Sequence, residues 1–372
     1  MPRPITIPAL LHQTTKRAYS SLPSLESELP SRALPVLHDH LTPQPSYLLS
    51  TTLSSFLPQN SPLAHPPSHL PSLADSSAAR LPEGHHLIYF PPPLSLPSLL
   101  PDGTDPAHSP GPPFTRRMWA GGRLNFRPDR RLTLDGRRAV CVEGIRDVRT
   151  KKGRTDDEEK VFVGIERRIL GGLGDEEALR LGDEGWRQRL WGKTGEVGEE
   201  EASVLERREL VFMRDPPRDT PKQTAAEGKP TKVVKAPHPP TVSHTLLPSP
   251  HLLFRFSALT FNAHAIHLDK GFCRDAENHR NLLVHGPLSL VFLLSLLRGH
   301  VLETKGPGWM VTGIEYRNLA PLYAEEELRL CARATGMVSE GGNEGEEAWD
   351  VWIEGPEGGM CVRGKAKVGK VT

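Results

Sequence analysis

Three side chains that exchange or orient protons fall within six residues of each other in "FSALTFNAHAIHLD", Phe256 to Asp269: Asn262, His264 and His267. A histidine with a pKa near neutrality can serve as both acid and base. An asparagine cannot take up a proton, but its amide can orient a water or a hydroxyl, and it equally suits a loop cap. His264 fits a structural or solvent-facing role as readily as a chemical one, and Asp269 follows two positions after His267. His264 and His267 together raise the question of a metal, yet no neighbouring cysteine or carboxylate completes a ligand set, so neither metal nor cofactor is expected. Shortly downstream comes "VHGPLSLVFLLSLL", in which His285 and Gly286 precede a run that is apolar on every side.

Such a run has to be covered all round, so Pro287 to Leu297 reads as a short buried helix, with Pro287 at its start and Gly299 ending it. The pieces available to cover it are strands. "WMVTGIEYRNL", "EELRLCARAT", "AWDVWIEG" and "MCVRGKAKVG" alternate or are rich in β-formers, and the last two flank the turn signal "EGPEGG". The first half of the chain repeats the scheme. "SYLLSTTLSSFL" (Ser46 to Leu57) is spaced as a helix, "HHLIYF" (His85 to Phe90) reads as a strand, and "RRMWAGGRLNF", "RRAVCVEGIRDVRT", "EKVFVGIERRIL" and "ASVLERRELVFMRD" as four more. The proline-rich stretch from Pro91 to Pro113 cannot join a sheet interior, and the Gly- and Glu-rich residues from Gly171 to Glu200 read as surface excursions. Each half is thus one helix with several antiparallel strands. A curved sheet wrapped around one central helix is the hot-dog fold, and two side by side make a double hot-dog of the α+β class.

Between the halves, residues 215–240 carry many prolines and almost no bulky apolar residue, as a linker does. The expected organisation is 1–30 as a presequence and flexible start, 31–214 as a degenerate first hot-dog, 215–240 as linker and 241–372 as the second, site-bearing one. The first acidic residue is Glu26, preceded by Arg3, Lys16, Arg17 and several hydroxyl residues, and "KRAYSS" resembles a matrix-peptidase cleavage pattern with the cut ahead of Ser20. That composition predicts mitochondrial targeting and a matrix location. With 46 Lys+Arg against 45 Asp+Glu the net charge is +1, so no overall field draws the chain to nucleic acid. No apolar run reaches the ~20 residues of a membrane span. Cys141, Cys273, Cys331 and Cys361 form no CxxC pair, which argues against a disulfide framework.

The wording "FSALTFNAHAIHLD…LLVHGPLSLVFLL", the following "YRNLAPLY" and, in the first half, "RMWAGGRLNF" resemble the MaoC-like, R-specific enoyl-thioester hydratases, and most closely the fungal mitochondrial 3-hydroxyacyl-thioester dehydratases of type II fatty-acid synthesis. The resemblance implies a hydro-lyase acting on an acyl carrier protein or coenzyme A thioester. In that family an Asp and a His five positions apart hold one water, and a backbone N–H at the start of the central helix polarises the thioester carbonyl. His267 then matches the catalytic His, Gly286 the donor of the oxyanion contact with His285 bracing the helix start, and Asn262 stands where the family has Asp. His264 or Asp269 is left to replace the missing carboxylate. The first half carries no such motif, so one site per chain is expected, with the first half covering the sheet edge and shaping the acyl tunnel. Arg116, Arg117 and Arg123 on one strand could meet the acidic surface or phosphopantetheine of a carrier protein, or simply form a solvated face. The expected reaction is (3R)-hydroxyacyl thioester to trans-2-enoyl thioester. A hydratase for a dicarboxylic thioester such as mesaconyl-CoA, which would want a cationic pocket, and a non-catalytic acyl-binding subunit are the rivals; a homodimer is compatible with each.

Overall fold

The computed structural model describes residues 23–73, 79–154, 158–215, 233–338 and 345–371. Most of the expected presequence and of the linker lie outside the described residues. Ten strands are present among them: β1 (Leu37–His40), β2 (Arg116–Phe126), β3 (Arg138–Lys151), β4 (Lys160–Leu173), β5 (Val204–Met213), β6 (Val242–Leu246), β7 (Trp309–Asn318), β8 (Leu328–Met337), β9 (Glu347–Glu354) and β10 (Met360–Lys370). They form one sheet in the order β1-β3-β4-β5-β2-β7-β10-β9-β8-β6. Counted outward from its centre, the sheet runs β2-β5-β4-β3-β1 on one side and β7-β10-β9-β8-β6 on the other, the same permutation twice. The two halves meet where β2 pairs antiparallel with β7, from Gly121 opposite Arg317 to Asn125 opposite Gly313. This is the expected double hot-dog.

The helices are α1 (Pro23–Glu28), α2 (Pro43–Leu53), α3 (Asp175–Leu190), α4 (Pro250–Leu259), α5 (Lys270–Asp275) and α6 (Gly286–Lys305). Helix α2 begins ahead of the predicted Ser46 because prolines at 43 and 45 are tolerated in a first turn, where no N–H bond is lost. Helix α6 is the wrapped one: Leu288, Leu290, Val291, Phe292, Leu293 and Leu294 are each at most 1% exposed. Each such leucine contributes roughly 1.5–3 kcal/mol by leaving water. The helix does not stop at Gly299; it continues to Lys305 and closes at Gly306, whose φ of +80° suits a glycine terminus. Gly299 is small for another reason, since a Cβ there would run into Ser61 Oγ. At 20 residues the helix is long and apolar enough to cross a membrane, but the sheet encloses it instead.

Two other expectations are corrected. His85–Ile88 is a 3-10 turn, not a strand. Gly84, at φ +90°, turns the chain against Leu294 of α6, and both imidazoles are inside: His85 Nδ1 lies 2.7 Å from Ser46 Oγ, and His86 lies 3.7 Å from the Glu206 carboxylate. The Gly- and Glu-rich excursion contains α3, which lies on the outer face of the first half with Trp186 fully buried and its Nε1–H donated to Ala178 O at 2.7 Å. Only Ala178, Trp186 and Leu190 of its sixteen residues are buried, too few for a periodic signal. Strands β1 and β6, four and five residues long at the two sheet edges, also escaped the sequence reading.

Candidate active site

Helix α4 starts at Ser249, whose hydroxyl accepts the Leu252 N–H, and buries Leu252, Leu253, Phe256 and Ser257. After it Phe261 adopts a left-handed φ of +53°, at a cost of about 1 kcal/mol. The chain then doubles back, and the Asn262 N–H reaches Ser257 O at 2.8 Å. Asn262 Oδ1 accepts the His264 N–H at 2.9 Å, so this amide is a loop cap as well as a cavity wall. A 3-10 turn, Ala265–His267, presents His267. Asp269 does not join the others. It is exposed, and its carboxylate accepts the Phe272 N–H at 3.0 Å as the cap of α5.

Around one cavity of about 420 Å³ the structure assembles Asn262, His264, His267 and Gly286. His267 Nδ1 lies 2.8 Å from Leu283 O, which can only accept, so the proton sits on Nδ1 and Nε2 carries the lone pair. Its ring stacks on that of His285, with centroids 3.6 Å apart and planes 21° off parallel. His285 is fully buried, and its Nε2 lies 2.9 Å from Ser257 Oγ. It therefore supports the His267 ring without lining the cavity itself.

Gly286 opens α6, and Pro287 follows it. The first N–H groups of a helix have no intrahelical acceptor and lie at the positive end of its dipole. A side chain at 286 has no room: its Cβ would stand 2.7 Å from Trp119 Cβ and 3.0 Å from Asn318 Nδ2. Trp119 belongs to β2 in the other half. Its indole N–H donates to Tyr316 OH at 2.7 Å, and its carbonyl accepts from Asn318 Nδ2 at 2.8 Å. The β2–β7 seam therefore sets the backbone that a carbonyl would approach.

Burial holds the imidazoles neutral. His267 is pushed down to about 4, mainly by desolvation; the Leu283 carbonyl opposes the shift and the Arg117 guanidinium adds to it. His264 and His285 lie well below the usual imidazole range for the same first reason. A bare Nε2 is therefore present throughout the neutral range, and the acidic limb of kcat/KM is expected near pH 4, far from the 6.5 of a free imidazole. Stability should fall sooner. His85, His86, His264, His267 and His285 all have folded values below the unfolded one, so between ~6.5 and ~4 the unfolded chain binds the extra protons. Each costs up to ~1.4 kcal/mol per pH unit as pH drops through that window. Urea midpoints at about pH 7.5 and about pH 5 check this, and equal midpoints would contradict it.

The three arginines of β2 part company. Arg116 pairs with Glu277, Nε to Oε2 at 2.6 Å, and Arg123 is exposed. Arg117 turns into the cavity, where its one hydrogen bond runs to Asp105 O at 3.2 Å and no carboxylate stands within ion-pair distance among the described residues. A second cavity of about 400 Å³ shares Arg117, Trp119 and Asn262 with the first and extends between Leu87, Phe90 and Leu99 of the first half and Phe256 of α4. Trp119 lies in the "RMWAGGRLNF" segment but was given no part in the site, and Asp102 was missed altogether; both reach the site from the other half.

The family model for hydroxyacyl-thioester dehydratase type 2 matches residues 84–324, which takes in most of the lining of both cavities and the whole loop from α4 to α6. The chain belongs to that family. The mesaconyl-C(4)-CoA hydratase of Chloroflexus aurantiacus is 31% identical to it over 302 residues, covering 80% of this chain and 88% of that protein. The mitochondrial hydroxyacyl-thioester dehydratase type 2 of Schizosaccharomyces pombe is 24% identical over 310 residues, covering 82% of this chain and 91% of that protein. A MaoC-like dehydratase from Phytophthora capsici shares the fold, with a TM-score of 0.55 over 93% of this chain and 99% of that one at 11% identity. These relatives are dehydratases and hydratases, and this family member is a hydro-lyase with them.

Proposed function

We propose that the chain interconverts (3R)-hydroxyacyl and trans-2-enoyl thioesters, with His267 as the base that moves the proton and the Gly286 N–H as the donor to the thioester oxygen. One observation carries this reading: a neutral imidazole with a bare Nε2 and the leading amides of α6 border a single cavity. The proton taken from C2 goes to the departing hydroxyl, while negative charge gathers on the thioester oxygen at the helix start. The second, largely apolar cavity supports an extended acyl chain. The names of the yeast relatives and the acid-poor first residues support a place in the mitochondrial matrix, in fatty-acid synthesis on an acyl carrier protein. The two halves of the sheet support the domain division, with the boundary inside 215–240.

A second reading is favoured by Arg117. The Asp105 and Asp102 carboxylates act on this guanidinium only from beyond ion-pair distance, and the free carboxylate of a dicarboxylic thioester would meet it directly. Mesaconyl-CoA and (3R)-hydroxyacyl thioesters of four to sixteen carbons, on carrier protein and on coenzyme A, are the panel that separates the two. Under the first reading the long acyl chains turn over best and Arg117→Ala leaves their KM within about threefold. A roughly 10- to 100-fold rise in the KM for mesaconyl-CoA in Arg117→Ala, with mesaconyl-CoA the better substrate, would replace the first reading by the second. No stereospecific turnover of any member of the panel would overturn both.

A further inference from the structure

The proline-rich insertion of the first half meets the active-site loop at one point. Ala265 N–H donates to Asp102 O at 2.8 Å, and Gly103, at φ +82°, lies so close to Ala263 O that no side chain would fit. The Asp102 side chain is held from both ends. Oδ1 accepts the Thr104 N–H at 3.0 Å and the Thr104 hydroxyl at 2.6 Å, and Oδ2 stands 3.5 Å from His264 Nε2. That imidazole nitrogen is sealed from solvent without a hydrogen-bond partner, and His264 is 5% exposed. A buried ring nitrogen facing a carboxylate is satisfied in one way, by carrying the proton and donating it, and a small side-chain adjustment would bring the two within hydrogen-bond distance.

We propose that Asp102 and His264 form a dyad that holds the substrate hydroxyl, filling the place of the carboxylate that Asn262 cannot provide. With Nε2–H committed to Asp102, Nδ1 is the ring's bare acceptor, and His264 lines the first cavity. The His264 and His267 rings stand edge to face with centroids 5.5 Å apart on the wall of one cavity, and the dyad requires one substrate oxygen to be shared by His264 Nδ1 and His267 Nε2. The inference rests on His267 being the base. In dehydration His267 Nε2 takes the C2 proton, and the C–H electron pair becomes the C2=C3 bond by way of the enolate at Gly286. The C3–O bond breaks with its electron pair, and His267 returns the same proton to that oxygen, releasing water. His264 stays neutral, accepting the O–H that the hydroxyl already carries, and so aims the oxygen at His267. Asp102 acts through His264 as a positioning residue. The first half then supplies part of the site itself.

The decisive measurement is the tautomer of each imidazole, read from long-range nitrogen–proton NMR of the full chain. His264 is expected as the Nε2–H form and His267 as the Nδ1–H form. In Asp102→Asn the His264 signal shifts toward Nδ1–H, because an amide can now donate to Nε2, and kcat falls about 10- to 100-fold with KM little changed. His264→Gln is expected to lose a similar factor, and the double variant no more than His264→Gln alone. A wild-type Nδ1–H tautomer at His264, wild-type kcat in Asp102→Asn, or additive losses in the double variant would each overturn the dyad. The two readings fail separately: the tautomer needs no turnover, and loss of activity in His267 variants with none in Asp102→Asn or His264→Gln leaves the base in place and removes the dyad.

Discussion

His267→Ala is expected to lower turnover about 10²- to 10⁴-fold in a protein that still folds. The side chain does two things, and they separate. Its Nδ1–H is the donor to Leu283 O at 2.8 Å, and its ring stacks on His285, so alanine leaves a buried carbonyl and a cavity as well as removing the base. The unpaired carbonyl alone costs ~1–3 kcal/mol of stability. His267→Gln keeps an N–H for Leu283 O and lacks the bare ring nitrogen. Both variants should lose turnover alike while the glutamine regains part of the melting temperature. Stereospecific turnover and thermal melts of the two proteins check this together. Retained turnover in either one would remove His267 as the base.

Gly286→Ala should be nearly as damaging, by a different route. The new methyl would sit 2.7 Å from Trp119 Cβ and 3.0 Å from Asn318 Nδ2. Neither neighbour is a loose end. Trp119 is tied through its indole to Tyr316 OH and through its carbonyl to Asn318, both on β7. The start of α6 has to move away from the seam, and a displaced donor is a poor one. A fall in kcat of about 10²- to 10³-fold is expected, the loss found when an oxyanion donor is removed. Overpacking should cost a further ~1–3 kcal/mol in stability. Comparing kcat with the binding of an unreactive acyl thioester separates a misplaced donor, which lowers kcat alone, from a blocked cavity, which weakens both. Wild-type kcat in a folded Gly286→Ala protein would remove the helix start from the mechanism.

The histidines raise a question of balance. Neutral rings are what a proton-moving site needs, yet five buried imidazoles with lowered pKa make the folded chain vulnerable to acid. His85 and His86 belong to this set without touching the first cavity; they sit in the core, one against Ser46 and the other beside Glu206. Their cost in acid is therefore a property of the first half and is separable from the chemistry at His267.

Eight of the ten strands and the wrapped helix could be read from the sequence, because each is announced by its own residues. Alternation marks a strand half in and half out of the core, and the run from Leu288 to Leu297 has no polar stripe to expose. His85–Ile88 failed the same test for an instructive reason. Its β-like composition arises from being buried on every side, and burial alone does not choose between strand and turn; Gly84 and the approach of α6 do. Gly299 failed likewise, since a glycine that ends a helix and one that admits a neighbour look identical in sequence.

The amino-acid sequence by itself determined two helix-and-strand units and the loop from Asn262 to Gly286, whose working residues lie close along the chain and bring their own turns and caps. Tertiary structure alone decided that Trp119, Arg117 and Asp102 close the site from the other half. The physical reason is that local propensities act over a few residues. The pairing of β2 with β7, and the docking of the proline-rich loop on Ala263 and Ala265, are long-range contacts that exist only once both halves have folded against each other.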